Sequence, residues 1–293
     1  KYIVWRLGQI GRLFWSQIAI DLACQRKLCC AWNRNPLPAF VALCGIRIRT
    51  DKNYNEGSAK MKKKPIIKAI IFDLDGTLLD SLRDIADSMN NALADSGLPE
   101  HPVEAYKDFV GNGLFDLVKQ ATPASKHKQA DQEAIAELFW NHYEQSWFLH
   151  TNVYPGILYL IQLCVSRKVK VAILSNKVHY FTKKMIRHYF RGVMINQGKN
   201  PFGIYSGEQP DMPKKPDPTR ALDLAERLKT KPENIAFLGD SAVDMQTAIN
   251  AGMVPIGAAW GYRSREELEK AGAYEVYDTP TDLASMIEKS PII

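Results

Sequence analysis

The sequence predicts an α/β fold built on a parallel sheet. Three apolar runs, at residues 66–72, 169–174 and 234–238, have the length and β-branched character of buried strands, and each ends in a polar loop. Stretches with helical periodicity separate them, so each connection is a crossover of the kind that joins parallel strands. Strands and helices that alternate in this way form a Rossmann-like parallel sheet with helices on both faces.

A purely helical segment interrupts this alternation after the first strand. Ser81 and Asp84 give an N-cap signal, and apolar residues then recur at steps of three and four. Further helical patterns occupy 103–110, 114–120 and 129–147, and no strand pattern occurs between 81 and 150. We therefore expect an inserted α-helical cap domain at 81–150, within a core domain made of 61–80 and 151–293.

The β/α alternation resumes at residue 153 and continues to the end of the chain. Pro155 and Gly156 open a helix that extends to about Lys168. The elements that follow it are a strand at 169–174, a helix at 179–189, a short strand near 193–196, a helix at 218–229, a strand at 234–238, a helix at 242–251, a strand at 254–258, a helix at 264–271, a strand at 274–276 and a helix at 281–289.

Composition separates the first sixty residues from the rest of the chain. The 293 residues carry a net charge of +6, but ten Lys or Arg and only three Asp or Glu lie in 1–60. The remaining residues hold 28 basic and 29 acidic side chains, so they lack the excess of positive charge that is typical of nucleic-acid-binding proteins. Four of the five cysteines also lie in 1–60, so the core has no disulfide framework.

The first sixty residues are interpreted as a leader that is non-native or disordered. They contain no apolar stretch long enough to span a bilayer. They also lack the basic start, continuous apolar stretch and small-residue cleavage site that follow one another in a signal peptide. The first methionine, Met61, directly precedes the first strand. A basic membrane-surface or targeting arm is the alternative interpretation. We expect a cytoplasmic protein with no membrane association.

Two carboxylates stand two residues apart where the first strand ends. The string is Asp73-Leu74-Asp75-Gly76-Thr77. Side chains alternate along a strand, so Asp73 and Asp75 project to one side and can converge on one cation. Gly76 lets the backbone turn sharply beneath them. An acidic turn after a strand is the alternative for such a string taken alone.

Three further groups of polar residues follow strand-like runs or prolines. Ser175-Asn176-Lys177 ends the second run, although Ser175 and Asn176 could also cap the next helix. Lys215 stands in a proline-flanked string, and Asp240 follows the third run with Asp244 one helical turn beyond. Carboxyl ends of parallel strands meet at one edge of a sheet, so these groups are expected to form one site.

The four strings together resemble the motifs of the haloacid dehalogenase superfamily of aspartate-nucleophile phosphatases. The resemblance covers about residues 66–288 and includes DLDGT at 73–77, Ser-Asn at 175–176, Lys215 and GDSAVD at 239–244. Within the superfamily the sequence is most similar to the phosphoglycolate phosphatases, on the string at 72–81, Phe109-Val110-Gly111-Asn112-Gly113 and the string at 214–218.

The resemblance implies a role for each motif residue. Asp73 is the nucleophile that forms an aspartyl-phosphate, and Asp75 is the general acid and base. The Mg²⁺ ligands are Asp73, the main-chain carbonyl of Asp75, and Asp240, with Asp244 holding a bound water. The phosphate-binding residues are Gly76, Thr77, Ser175, Asn176 and Lys215, with main-chain N–H groups at the start of a helix.

A glycine-rich string in the cap is the candidate for substrate specificity. Gly111-Asn112-Gly113 lies between two predicted helices, where it is either a simple turn or a loop that closes over the substrate and offers main-chain N–H groups to a small carboxylate. His179, four residues after Ser175, has no partner acid in the sequence pattern and is expected to be structural.

The expected function is therefore Mg²⁺-dependent hydrolysis of a small-molecule phosphate ester, 2-phosphoglycolate, by a monomer or homodimer. Alternatives within the superfamily are a phosphatase for pyrophosphate, a sugar phosphate or a nucleotide, and a phosphosugar mutase. A catalytically silent binding protein would have lost at least one of Asp73, Asp75, Lys215 or Asp240, and none is lost.

Overall fold

The computed structural model describes residues 65–192 and 201–289. The predictions for residues 1–60 and for a short strand near 193–196 lie outside these ranges. In the part that is described, no helix has both the length and the apolar character needed to cross a membrane.

A six-stranded parallel sheet forms the centre of the fold, as predicted. The strands are β1 (Ala69–Phe72), β4 (Lys170–Val178), β5 (Tyr205–Glu208), β6 (Ile235–Gly239), β7 (Val254–Ala258) and β8 (Glu275–Tyr277). Their order in the sheet is β5-β4-β1-β6-β7-β8, so the sheet extends in opposite directions from β1. A crevice at the carboxyl edge is expected where the order reverses in this way.

Both faces of the central strand are buried. Ile70 and Phe72 belong to one hydrophobic core, whereas Ala69 and Ile71 belong to the core on the opposite face. A strand covered on both faces has no polar alternation, which explains why its sequence reads as one continuous apolar run.

Ten α-helices are present among the described residues. They are α1 (Leu82–Asp95), α2 (Tyr106–Phe109), α3 (Leu114–Ala121), α4 (Gln129–Ser146), α5 (Ile157–Ser166), α6 (His179–Tyr189), α7 (Thr219–Arg227), α8 (Ala242–Asn250), α9 (Arg265–Lys270) and α10 (Pro280–Lys289). Short 3₁₀ turns occupy Val103–Ala105, Ala124–Lys126 and Pro232–Asn234. The helix predicted at 103–110 is therefore a 3₁₀ turn followed by the single turn α2.

Helices α1 to α4 lie between two very short strands that the sequence analysis did not predict. These are β2 (Leu79–Asp80) and β3 (Asn152–Val153), which pair antiparallel, with Leu79 opposite Val153. Every residue between them is helix, turn or loop, as expected for the cap. The chain thus leaves the core and returns to it through a two-stranded ribbon, and we refer to residues 81–150 as the cap insertion.

Candidate active site

The nucleophile candidate lies at the carboxyl end of the central strand. Asp73 is 7% exposed, and its Oδ1 accepts hydrogen bonds from the main-chain N–H of Leu74, at 2.7 Å, and forms an ion pair with Lys215 Nζ, at 2.9 Å. Among the described residues no hydrogen bond to Oδ2 occurs. One carboxylate oxygen is therefore held in place, and the other is available to attack a substrate.

The loop after β6 places a second carboxylate beside the first. Asp240 accepts hydrogen bonds from Thr77 Oγ1, at 3.0 Å, and from the main-chain N–H of Tyr262, at 2.9 Å. Gly76 has φ +79°, and a Cβ there would lie 2.2 Å from Asp240 Oδ2. Gly76 is therefore required for both the turn and the space. Thr77 fixes Asp240 with its hydroxyl, while its role in phosphate binding remains a prediction.

Lys215 is held between two buried carboxylates. Its Nζ lies 2.6 Å from Asp244 Oδ1 in addition to the contact with Asp73. The other oxygen of Asp244 accepts from both the main-chain N–H and the hydroxyl of Ser241, which caps helix α8. Burial alone would lower the pKa of Lys215, but the two carboxylates outweigh it and raise the pKa. Lys215 therefore remains an ammonium.

Three buried carboxylates form a compact acidic cluster. Oxygens of Asp73, Asp240 and Asp244 lie within 4.8 Å of one another, and one lysine contacts the group. Burial raises the pKa of Asp73 to about 7, although Lys215 opposes the change. Burial, followed by the charges of Asp244 and Asp73, raises the pKa of Asp240 to about 8. The cluster therefore holds more negative charge than the protein neutralises, which fits a divalent cation.

The Ser-Asn pair lies in a strand, not at the start of a helix. Strand β4 continues to Val178, and helix α6 begins only at His179. The alternative in which Ser175 or Asn176 caps a helix is therefore wrong, and so is the expectation that the main-chain N–H groups beside Ser175 lie at a helix start. That these groups bind phosphate stays a prediction. Ser175 lines the pocket, where its hydroxyl accepts from the main-chain N–H of Lys177.

Asn176 uses its whole side chain to connect residues of the core with a loop of the cap insertion. Its Oδ1 accepts from the main-chain N–H of Lys215, at 2.9 Å, and from Arg220 Nη2, at 2.6 Å. Its Nδ2 donates to the main-chain carbonyls of Gly111 and Lys215, each at 3.1 Å. Only the main-chain N–H of Asn176 is left as a candidate for the predicted phosphate contact.

Asp75 is not a member of the acidic cluster, and it contacts a lysine that the sequence analysis had not assigned. Lys177 Nζ lies 3.1 and 3.2 Å from the two oxygens of Asp75. The Ser81 hydroxyl donates to the same carboxylate at 2.5 Å, and it makes no capping bond to helix α1. Ser81 is the N-cap residue of α1, as predicted, but its hydroxyl bonds to Asp75 and not to the start of the helix.

A pocket joins the acidic cluster to the cap insertion. Its core wall includes Asp73, Asp75, Ser175, Lys177 and Asp240. The side chains that the cap insertion contributes are all apolar or aromatic: Ile85, Val110, Leu114, Leu117, Phe139, Trp140 and Tyr143.

The predicted specificity loop is on the edge of this pocket. Gly111 and Gly113 line it, with φ +129° and +91° respectively. Asn112 contributes its main-chain carbonyl, which accepts from Lys214 Nζ at 2.8 Å. A Cβ on Gly113 would lie 2.6 Å from Glu208 Oε2 at the end of β5. The loop thus packs directly against core residues, close to a carboxylate of the protein itself.

Two functional candidates, Lys177 and Arg220, were missed. Arg220 is fully buried and donates to the main-chain carbonyls of Pro213 and Ser175 as well as to Asn176. Lys177 could have been found from its position two residues after Ser175, because residues two apart share one side of a strand. His179 accepts from the main-chain N–H of Gly207 and stacks on Tyr205, in agreement with the structural role expected for it.

Comparisons with known proteins show the family to which the chain belongs. The model of the haloacid dehalogenase-like hydrolases matches residues 70–258. A phosphoglycolate phosphatase of Aquifex aeolicus is 31% identical over 196 residues, which cover 67% of this chain and 86% of that protein. One of Rhodospirillum rubrum is 32% identical, with 75% and 89% covered.

Solved structures give the same result. A protein of Lactobacillus delbrueckii subsp. bulgaricus, provisionally named a phosphoglycolate phosphatase, superposes with a TM-score of 0.68 at 29% identity and covers 75% of this chain and 98% of its own. A Haemophilus somnus structure also reaches 0.68, at 24% identity, with 76% and 99% covered, which supports the fold.

Proposed function

The chain belongs to the haloacid dehalogenase-like hydrolases and is a phosphatase, and from this membership we propose that it converts 2-phosphoglycolate to glycolate and phosphate. The names of the curated relatives support the substrate. The observation that carries the chemistry is the position of Asp73 beside Lys215, with Asp75 lining the same pocket.

Asp73 is proposed to begin the reaction. Its Oδ2 attacks phosphorus, the bond from phosphorus to the ester oxygen breaks, and an aspartyl-phosphate forms. Lys215, already in contact with Oδ1, offsets the negative charge that gathers on the phosphoryl oxygens. Ser175 and the main-chain N–H groups of Thr77 and Asn176 are proposed to hold those oxygens. The predicted contact from Gly76 is not available through its main-chain N–H, which donates to the main-chain carbonyl of Leu79 at 2.8 Å.

Asp75 is proposed to move the protons. It donates a proton to the departing alkoxide oxygen and later takes one from the water that hydrolyses the aspartyl-phosphate. Ser81 and Lys177 fix the orientation of its carboxylate from two directions. A proton donor must lie within hydrogen-bond reach of the leaving oxygen, so this fixed orientation matters for the rate.

Asp73, Asp240 and the main-chain carbonyl of Asp75 are proposed to hold Mg²⁺. When bound, this ion screens the negative charges of nucleophile and phosphate from each other. Both oxygens of Asp244 are occupied by Lys215 and Ser241, which supports an indirect role for Asp244 through a water.

The side chains that line the pocket favour some of the alternative substrates over others. The wall formed by the cap insertion offers apolar and aromatic side chains, whereas a sugar phosphate presents several hydroxyl groups that need hydrogen-bond partners. This wall favours a short substrate without such hydroxyls. Gly111, Asn112 and Gly113 are proposed to close over it, so that water is excluded until the ester is cleaved.

A panel of phosphate esters tests the substrate. Released phosphate should be greatest with phosphoglycolate, should disappear in excess chelator and should return with Mg²⁺. A preference for pyrophosphate or a hexose phosphate would refute the substrate and leave the phosphatase chemistry standing. Full activity in excess chelator would refute the role of the metal.

A single substitution tests the nucleophile. Asp73→Asn should lower turnover by about 10⁴-fold or more, because an amide cannot form the acyl-phosphate. Asp80→Asn is the matched control, since Asp80 is an exposed carboxylate in β2 outside the pocket. If Asp73→Asn kept a tenth of the activity, Asp73 would not be the nucleophile.

A further inference from the structure

Lys177 is a buried cation that the proposed reaction uses only to orient Asp75. Its side chain is 8% exposed and lines the pocket. The Nζ lies against the Asp75 carboxylate on the core side and 4.7 Å from the ring centre of Tyr143 on the cap side. The ammonium therefore stands at the junction of the catalytic residues and the wall formed by the cap insertion.

The other cations near the pocket are committed to partners. Lys215 is held between Asp73 and Asp244. Arg263 lies at the rim, where it pairs with Glu267 and donates to the main-chain carbonyl of Lys107. By contrast, Asp75 is the single carboxylate that contacts Lys177 within residues 65–192 and 201–289, and an ammonium has three N–H donors. It thus keeps capacity for one more acceptor from the pocket.

The contact between Lys177 and Asp75 determines how far from the ester oxygen a substrate group can lie and still reach the Lys177 ammonium. Asp75 must touch the ester oxygen to protonate it, and Lys177 Nζ lies 3.1 Å from Asp75 Oδ2. In a 2-phospho hydroxy acid one carbon separates the ester oxygen from the carboxylate, which places the carboxylate oxygens about 3 Å from the ester oxygen by ordinary bond lengths. A carboxylate at that distance from the ester oxygen is within reach of the Lys177 ammonium.

We propose that Lys177 determines substrate specificity by binding a carboxylate located one carbon from the ester oxygen. The inference rests on the proposed function and names the residue that would recognise the acidic end of the substrate. The wall around Tyr143 is apolar and aromatic, and surroundings of low polarity strengthen the attraction between opposite charges. No described residue forms a hydrogen bond with the buried Tyr143 hydroxyl, so the same wall also holds an unsatisfied polar atom.

The test compares two substrates of equal length. Ethyl phosphate carries a methyl group where phosphoglycolate carries its carboxylate, so the ratio of their kcat/KM values reports recognition of the acid. Lys177→Met should lower kcat/KM for phosphoglycolate about 10- to 100-fold more than for ethyl phosphate, the range expected for a hydrogen bond between charged groups. Lys177→Arg keeps the charge and should retain most of the preference.

A second lysine supplies the matched control. Lys184 also pairs with a carboxylate, Glu144, and lies 5.2 Å from the ring centre of Trp147, but it does not line the pocket. Lys184→Met should leave the ratio of the two substrates unchanged, and thermal melting of each variant shows whether it is folded.

The outcomes distinguish the role of Lys177 from the identity of the substrate. An equal loss on both substrates in Lys177→Met would overturn the inference, because Lys177 would then act only through Asp75. A wild-type enzyme that prefers phosphoglycolate while Lys177→Met keeps that preference would overturn the inference alone. A wild-type enzyme that shows no preference for phosphoglycolate over ethyl phosphate would overturn both the inference and the proposed substrate.

Discussion

The acidic cluster predicts that Mg²⁺ binding depends steeply on pH. A metal ligand must be ionised, so the ion competes with protons on Asp73, whose pKa is about 7, and on Asp240, whose pKa is about 8. At pH 6 both groups are mostly protonated in the metal-free protein, and binding should release about two protons. At pH 8 it should release fewer than one.

These pKa values give the expected size of the effect. Competition by the two protons should weaken the apparent affinity for Mg²⁺ on the order of 500-fold between pH 8 and pH 6. Isothermal titration calorimetry at the two pH values measures the dissociation constant. Repeating it in buffers with different ionisation enthalpies measures the number of protons released.

Asp240→Asn is the variant that tests the assignment. It removes one of the two titrating groups, so the same change of pH should weaken the remaining, poorer binding only about tenfold. A dissociation constant in the wild-type protein that does not change with pH would refute the reasoning, because Asp73 and Asp240 would then be ionised throughout or would not hold the metal.

The same groups fix the direction in which stability changes with pH. Both pKa values are raised above the ordinary 3.8 of an aspartate, so the folded, metal-free protein binds more protons than the unfolded chain between about pH 4 and pH 8. The contribution of Asp73 and Asp240 to stability should therefore fall as pH rises through this window. Saturating Mg²⁺ should reduce that fall, and thermal melting with and without the ion measures the difference.

Two further predictions concern the residues that join the loops of the site. Gly113→Ala should lower kcat/KM at least about tenfold more than Gly111→Ala. Both positions have positive φ, but only the new Cβ at position 113 would meet Glu208. Similar losses in the two variants would show that the contact with Glu208 is unimportant. Arg220→Met should reduce the free energy of unfolding, measured in urea, by about 3 kcal/mol, because three acceptors lose a buried donor. A loss below about 1 kcal/mol would show that these hydrogen bonds do not stabilise the loops of the site.

Most of the core could be predicted because its strands and helices carry simple periodic signals. The prediction of helix 179–189 agrees with α6, and that of strand 254–258 agrees with β7. The edge strand β5 was not predicted because Tyr205–Glu208 contains a glycine and polar residues, so no apolar run marks it. Its strand conformation comes from pairing with β4, which a local pattern does not reveal.

The carboxylates of the site could be predicted because each follows a strand or opens a helix. Lys177 carries a weaker signal, because only its position two residues after Ser175 indicates that it shares one side of the strand, and its partner Asp75 is 102 residues away in the sequence. Strand β4 looked shorter than it is because Ser175, Asn176 and Lys177 read as a polar loop. Their polar groups find partners on other loops, which lets the strand continue through a buried region.

The short ribbon of β2 and β3 has a consequence for how such an enzyme can change. Leu79 and Val153 lie opposite each other, so the inserted segment begins and ends at neighbouring points of the structure. A segment with closely spaced ends can be exchanged for another without displacing the framework that carries it. We propose that the cap insertion helps to select the substrate, and on that basis its exchange is a route to a new specificity that leaves the catalytic residues of the core unchanged.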